Sequence, residues 1–91
     1  IALTVVVYPW PGQIFEHDLE SRQARFWQAW SKERGVAFVN LFPDFITPYP
    51  RDEAALLTLY ERYFIPCDNH WNAQGHQYIA ERFLAHRERQ E

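Results

Sequence analysis

The chain opens on an apolar and mostly β-branched run, Ala2, Leu3, Thr4, Val5, Val6, Val7 and Tyr8, which Pro9 and Pro11 bring to an end. With no clear alternation of apolar and polar positions, this run predicts a strand covered on both faces, as in a parallel sheet, over residues 2–8. The pattern then changes. Across residues 18–34, Leu19, Phe26, Trp27 and Trp30 recur at helical spacing, and Gly35 follows as a stop signal. Val36, Ala37, Phe38, Val39, Asn40 and Leu41 predict a second strand over residues 36–41. Strand, helix and strand at this separation form a βαβ unit, which implies parallel strands and a right-handed crossover.

Residues 43–50 are rich in Pro and aromatics and predict a loop. Pro50, Arg51, Asp52 and Glu53 then open a helix reaching about Arg62, with Leu56, Leu57 and Tyr60 inward, since proline and acids suit a first helical turn. Residues 63–71 read as irregular. Asn72 suits the cap of a last helix, whose stripe of His76, Ile79, Ala80, Phe83 and Leu84 follows the amphipathic pattern. On that stripe His76 reads as a core histidine. The charged tail over residues 87–91 is expected to fray.

Composition narrows the class. Of 91 residues, 47% are hydrophobic and 18% aromatic, enough to exclude a disordered chain. The length suits one domain over residues 1–91, or part of a larger one, and is short for a complete α/β enzyme. Because the chain begins without Met and directly in a strand-like run, it is expected to be a segment of a longer protein. A net charge of −3 with dispersed basic residues gives no footprint for nucleic acid. The single Cys67 excludes an internal disulfide framework. The apolar run of residues 1–8 is too short to span a bilayer and lacks the features of a signal peptide.

The candidate chemistry lies in Asp68, Asn69, His70, Trp71, Asn72, Ala73, Gln74, Gly75 and His76. In an extended segment, alternate side chains share a face, so Asp68 and His70 can point the same way; on a helix they would diverge. Pro66 disfavours helix at Ile65, which favours the extended form. A carboxylate that accepts from one imidazole nitrogen fixes the tautomer and leaves the other nitrogen to take a proton from a nucleophile. That is two-thirds of a Ser-His-Asp triad. The alternative is a hydrogen bond that merely stabilises a loop.

This block, with Phe64, Ile65, Pro66 and Cys67 before it, resembles the C-terminal block of SGNH/GDSL-type hydrolases. Its Asp-x-His-Trp form is similar to bacterial members that include polysaccharide O-acetylation proteins. Val5, Val6, Val7, Tyr8 and Pro9 resemble a late strand of the same fold. The resemblance follows most of the chain in order, while sharp motif matching is confined to about nine residues. It implies the C-terminal part of a flavodoxin-like three-layer α/β sandwich with parallel strands, with His70 as general base and Asp68 as its orienting carboxylate. It also implies a serine esterase or O-acyltransferase acting on an acyl ester or O-acetylated carbohydrate, no cofactor, and an extracytoplasmic setting in the periplasm or cell envelope. Two departures stand out. The family's Gly-Asp-Ser-type nucleophile motif and its oxyanion Gly and Asn are missing, so the N-terminal part of the parent protein must supply them. Many relatives also space Asp and His three apart, whereas here a single residue separates them.

Around the pair, Trp10 and Gln13 leave the end of the first strand, where ligands bind in open α/β sheets, and can touch a sugar or acyl group or simply form a turn. Trp71 either walls a pocket or anchors the last helix. Gly75 is read as permitting close approach of a neighbouring element. Ser21 and Ser31 carry no role, and Cys67 is a poor nucleophile beside the negative Asp68. Two other readings fit the same residues: a non-catalytic binding or assembly module on this fold, and a metal site from Asp68, His70 and His76. An exposed strand edge would recruit a second copy of the chain.

Overall fold

The computed structural model describes residues 2–90, with Gln90 described by its backbone alone. Two strands, β1 (Thr4–Val7) and β2 (Ala37–Asn40), pair in parallel in the register Thr4↔Ala37 to Val7↔Asn40. A further bond from Leu41 N–H to the Val7 carbonyl, 2.9 Å long, carries the pairing one residue on. Between the strands lie helices α1 (Pro11–Phe15) and α2 (Arg22–Arg34); after them come α3 (Phe42–Ile46), α4 (Glu53–Tyr63) and α5 (Ala73–Gln90). The architecture is α/β, a small two-stranded parallel sheet with helices.

α2 begins four residues later than its periodicity suggests, because Ser21 takes the cap. Its hydroxyl accepts from Ala24 N–H at 3.0 Å and is itself buried. Gly35 closes the helix at φ 66°, a left-handed position that glycine adopts without steric cost. The residues α2 buries are Ala24 and Ser31; small side chains let the helix lie close to the strands it contacts. Leu19 and Phe26 are exposed and Trp27 and Trp30 half-buried, so of these four Trp27 packs against the core while Leu19 and Phe26 face outward.

Two one-turn helices replace expected irregular chain. In α1, Gln13 Oε1 accepts from Trp10 N–H at 2.9 Å, and Pro11 sits where a missing N–H costs nothing. In α3, Asn40 Oδ1 accepts from Phe42 N–H at 3.0 Å, and Pro43 occupies the first turn. α3 lies in the expected loop over residues 43–50, yet it buries Phe42, Phe45 and Ile46 completely, each contributing about 1.5–3 kcal/mol. With Ile14, Val39, Leu41, Leu59 and Phe64 they make one core.

α4 is capped by the Asp52 carboxylate on Ala55 N–H at 3.0 Å, and it buries Leu56, Leu59 and Tyr63. Of the residues expected inward, Leu57 is exposed, while Leu56 is buried and the half-buried Tyr60 packs against the core. In α5 the inward stripe is rotated by one residue. Gly75 is buried, Tyr78, Ile79, Arg82, Phe83 and His86 are half-buried, while His76, Ala80 and Leu84 face solvent. The rotation follows from the nearly buried Asp44 of α3, which accepts from Arg82 Nε at 2.5 Å and pairs with His86 Nε2 at 3.1 Å. The Asp44 contact raises the Arg82 pKa above its ordinary value. α5 continues to Gln90, and Arg87 donates to the Thr4 hydroxyl of β1 at 3.1 Å. Glu91 lies outside the described residues.

Candidate active site

Asp68 and His70 sit on the connection between α4 and α5, and its neck is closed by backbone bonds. Phe64 and Trp71 form an antiparallel bridge, Ile65 N–H donates to the His70 carbonyl at 3.0 Å, and Asn72 N–H donates to the Tyr63 carbonyl at 2.9 Å. Asn72 also caps α5. Its Oδ1 accepts from Gly75 N–H at 2.8 Å, and its amide donates to the Arg62 carbonyl at 3.0 Å, tying the two helix ends together. Gly75 is required here, because a Cβ would press into the Tyr63 carbonyl oxygen and lie 2.8 Å from Trp71 Cε3.

Within the neck the chain turns twice. Asp68 N–H donates to the Ile65 carbonyl at 3.1 Å, with Pro66 second in the turn and Cys67 third at φ 60°. That is the pattern of a type II turn, with a cysteine where glycine is usual. Next, Asp68 Oδ1 accepts from His70 N–H at 3.0 Å, an Asx turn, and the same oxygen lies 2.5 Å from His70 Nδ1. The side chains therefore meet, though not because the segment is extended. A hydrogen-bonded bend folds residue 70 back over the carboxylate.

The chemistry of the pair follows from this geometry. The His70 ring bond, joined by the His70 backbone N–H, holds the Asp68 carboxyl below its ordinary value, so the group is a carboxylate at neutral pH. Nδ1 is occupied, and Nε2 makes no hydrogen bond among the described residues, which leaves it free to accept a proton. The imidazole side chain is 83% exposed and the carboxylate 43%. The pair lies open at the surface.

His70 lines a concavity of about 350 Å³ together with Tyr8, Trp10, Asn69, Trp71 and His76. Trp10, 62% exposed, stands just beyond the C-terminal end of β1, so this concavity opens where parallel sheets bind ligands. Trp71 is 8% exposed and packs on Phe45 and Phe64, with Tyr8 edge-on at 6.0 Å; it is chiefly an anchor that shows one edge to the site. Gln13 lies apart from the pair. It fixes the start of α1 and lines a neighbouring hollow with Trp10 and Asn69. His76 is exposed beside the pair instead of in the core. Among the described residues no three His, Cys, Asp or Glu side chains group as a metal site. Sequence reasoning passed over Tyr8 and Asn69, and it missed Tyr60, whose hydroxyl lies against the Asp68 backbone. No spacing signal marks Tyr8 or Asn69, and the spacing that turns Tyr60 inward does not reveal its contact with Asp68.

Fold and site define an α/β chain presenting an Asp–His pair on a surface loop. Comparisons with protein families, with curated proteins and with solved structures found no match to it.

Proposed function

We propose that this chain is the C-terminal part of an SGNH-type hydrolase domain and supplies the Asp68–His70 pair of a Ser-His-Asp triad. The fold in this reading is a flavodoxin-like three-layer sandwich, of which β1, β2 and their helices form the last part. The observation that carries the reading is the single carboxylate oxygen of Asp68 bonded to both the backbone and the ring of His70, with Nε2 left free beside a concavity.

In the reaction, His70 Nε2 takes the proton of a serine hydroxyl contributed by the N-terminal part of the parent protein. The serine attacks an acyl carbonyl, and Asp68 stabilises the imidazolium that forms. His70 then returns the proton to the departing alcohol. The acyl-enzyme passes its acyl group to water or to a carbohydrate hydroxyl, according to the acceptor admitted. The exposure of His70 fits a base that the rest of the domain covers. The substrate is an acyl ester or an O-acetylated carbohydrate, and the setting is extracytoplasmic.

The test is hydrolysis of an activated acetyl ester by the parent protein. Wild type should turn over with a burst of acylation, and His70→Ala should lose turnover with an unchanged circular dichroism spectrum. Equal turnover by wild type and His70→Ala would dismiss the reading.

A further inference from the structure

The loop that carries Asp68 has no glycine, and it holds Cys67 at φ 60°, a conformation that L residues with a Cβ adopt at a cost. Such a residue persists where its surroundings dictate the backbone. At Asp68 the surroundings are the Ile65 carbonyl within the turn and, from outside the loop, one phenol. Asp68 N–H donates to the Tyr60 hydroxyl at 2.9 Å, while that hydroxyl lies 2.7 Å from the Asp68 carbonyl and 3.1 Å from the Ile65 carbonyl. A phenol has one proton to donate and lone pairs to accept. It therefore grips both polar groups of the Asp68 backbone together, donating to the nearer carbonyl.

The phenol is itself fixed from behind. The Tyr60 ring stacks on Phe64 at 5.4 Å and 11°, and Phe15 lies against it at 6.3 Å. Phe64 is fully buried and is also one side of the bridge at the loop's neck. A rigid lever thus runs from the α4 helix and the core to the backbone of the carboxylate residue.

We propose that Tyr60 is the positioning residue of the Asp68–His70 pair. It touches no substrate and acts through the backbone of Asp68, and the proposal rests on the reading of that pair as a catalytic base. Without the hydroxyl, the Ile65 carbonyl alone holds Asp68 N–H, and Cys67 is free to leave the left-handed region. That rotation turns the Asp68 carboxylate away from His70 Nδ1.

The experiment is nitrogen-15 NMR of the His70 imidazole in the 91-residue chain, at a pH where the ring is neutral. Wild type, Tyr60→Phe, Tyr78→Phe and the double variant Tyr60→Phe/Cys67→Gly are compared. Tyr78→Phe removes a phenol hydroxyl that bonds the Asp44 carbonyl elsewhere, and it controls for loss of stability alone. Wild type and Tyr78→Phe should show the Nδ1–H tautomer with a downfield Nδ1 proton. Tyr60→Phe should lose that proton and shift to the Nε2–H tautomer that free histidine favours, and glycine at position 67 should restore part of the signal. Tyr60→Phe with the wild-type tautomer overturns the proposal and leaves the catalytic pair standing. An equal loss in Tyr78→Phe overturns it as well. A wild type without the Nδ1–H bond overturns the pair and the proposal together.

Discussion

Asp68 accepts two hydrogen bonds from one residue, and this concentration of contacts sets its charge. In the proposed reaction the carboxylate orients the imidazole and stabilises the positive charge that forms on it, so the two residues should respond differently to substitution. In the proposed parent hydrolase, His70→Ala should abolish turnover, and Asp68→Asn should lose on the order of ten-thousandfold while keeping a residue of activity. Steady-state kinetics on both variants checks this. The lowered Asp68 pKa also has a thermodynamic consequence. A carboxyl whose folded pKa is depressed contributes stability above its unfolded value of 3.8, and that contribution disappears as pH falls through the lower folded value. Acid unfolding followed by circular dichroism should therefore show a flatter limb below about pH 4 in Asp68→Asn than in wild type. At this scale the sequence showed the pair but not its cause. A two-residue spacing fits an extended segment and an Asx turn alike, and only the positive φ at Cys67 and the Tyr60 hydroxyl decide between them. The polar members of the α5 stripe were hidden for a related reason. Arg82 and His86 turn inward toward Asp44, roughly forty residues earlier in the chain, and no local pattern contains that partner.

The α4–loop–α5 unit behaves as one device, and the test of that is Gly75. Adding a methyl group there should push on both the Tyr63 carbonyl and the Trp71 ring. Gly75→Ala should cost about 1–3 kcal/mol by overpacking, which at this size lowers the melting temperature by roughly 4–8 °C for each kcal/mol. Scanning calorimetry measures it. Ser21→Ala should cost about 1 kcal/mol through loss of the α2 cap, and it should leave the His70 tautomer untouched. The longer elements were legible. Continuous β-branched runs and a helical segment between them specify parallel strands, and β1 and β2 pair that way. α1 and α3 were not legible, because five residues contain too little of a helical period to rise above a Pro-rich background. The inward face of α2 was legible only in part: Trp27 packs against the core, but close packing on the strands buries the small Ala24 and Ser31, while Phe26 is exposed.

At the scale of the whole molecule, the sheet has two strands among the described residues, and Leu3, Trp10, Phe26 and Leu84 are exposed. Isolated, such a chain should self-associate through an open edge, visible as a weight-average mass that rises with concentration in sedimentation equilibrium. The isolated chain should also give no acylation burst with an activated acetyl ester, and it should match its His70→Ala variant in slow hydrolysis. An oriented base without a nucleophile forms no acyl-enzyme, and loss of even one oxyanion donor typically costs about a hundredfold to a thousandfold in rate. The most direct measurement uses the proposed parent hydrolase and a fluorophosphonate, which reacts preferentially with a serine activated by a neighbouring base. Peptide mapping after labelling should find one modified serine outside these 91 residues, and His70→Ala should remove the label. A label that survives His70→Ala, or one carried by Ser21 or Ser31, would contradict the account.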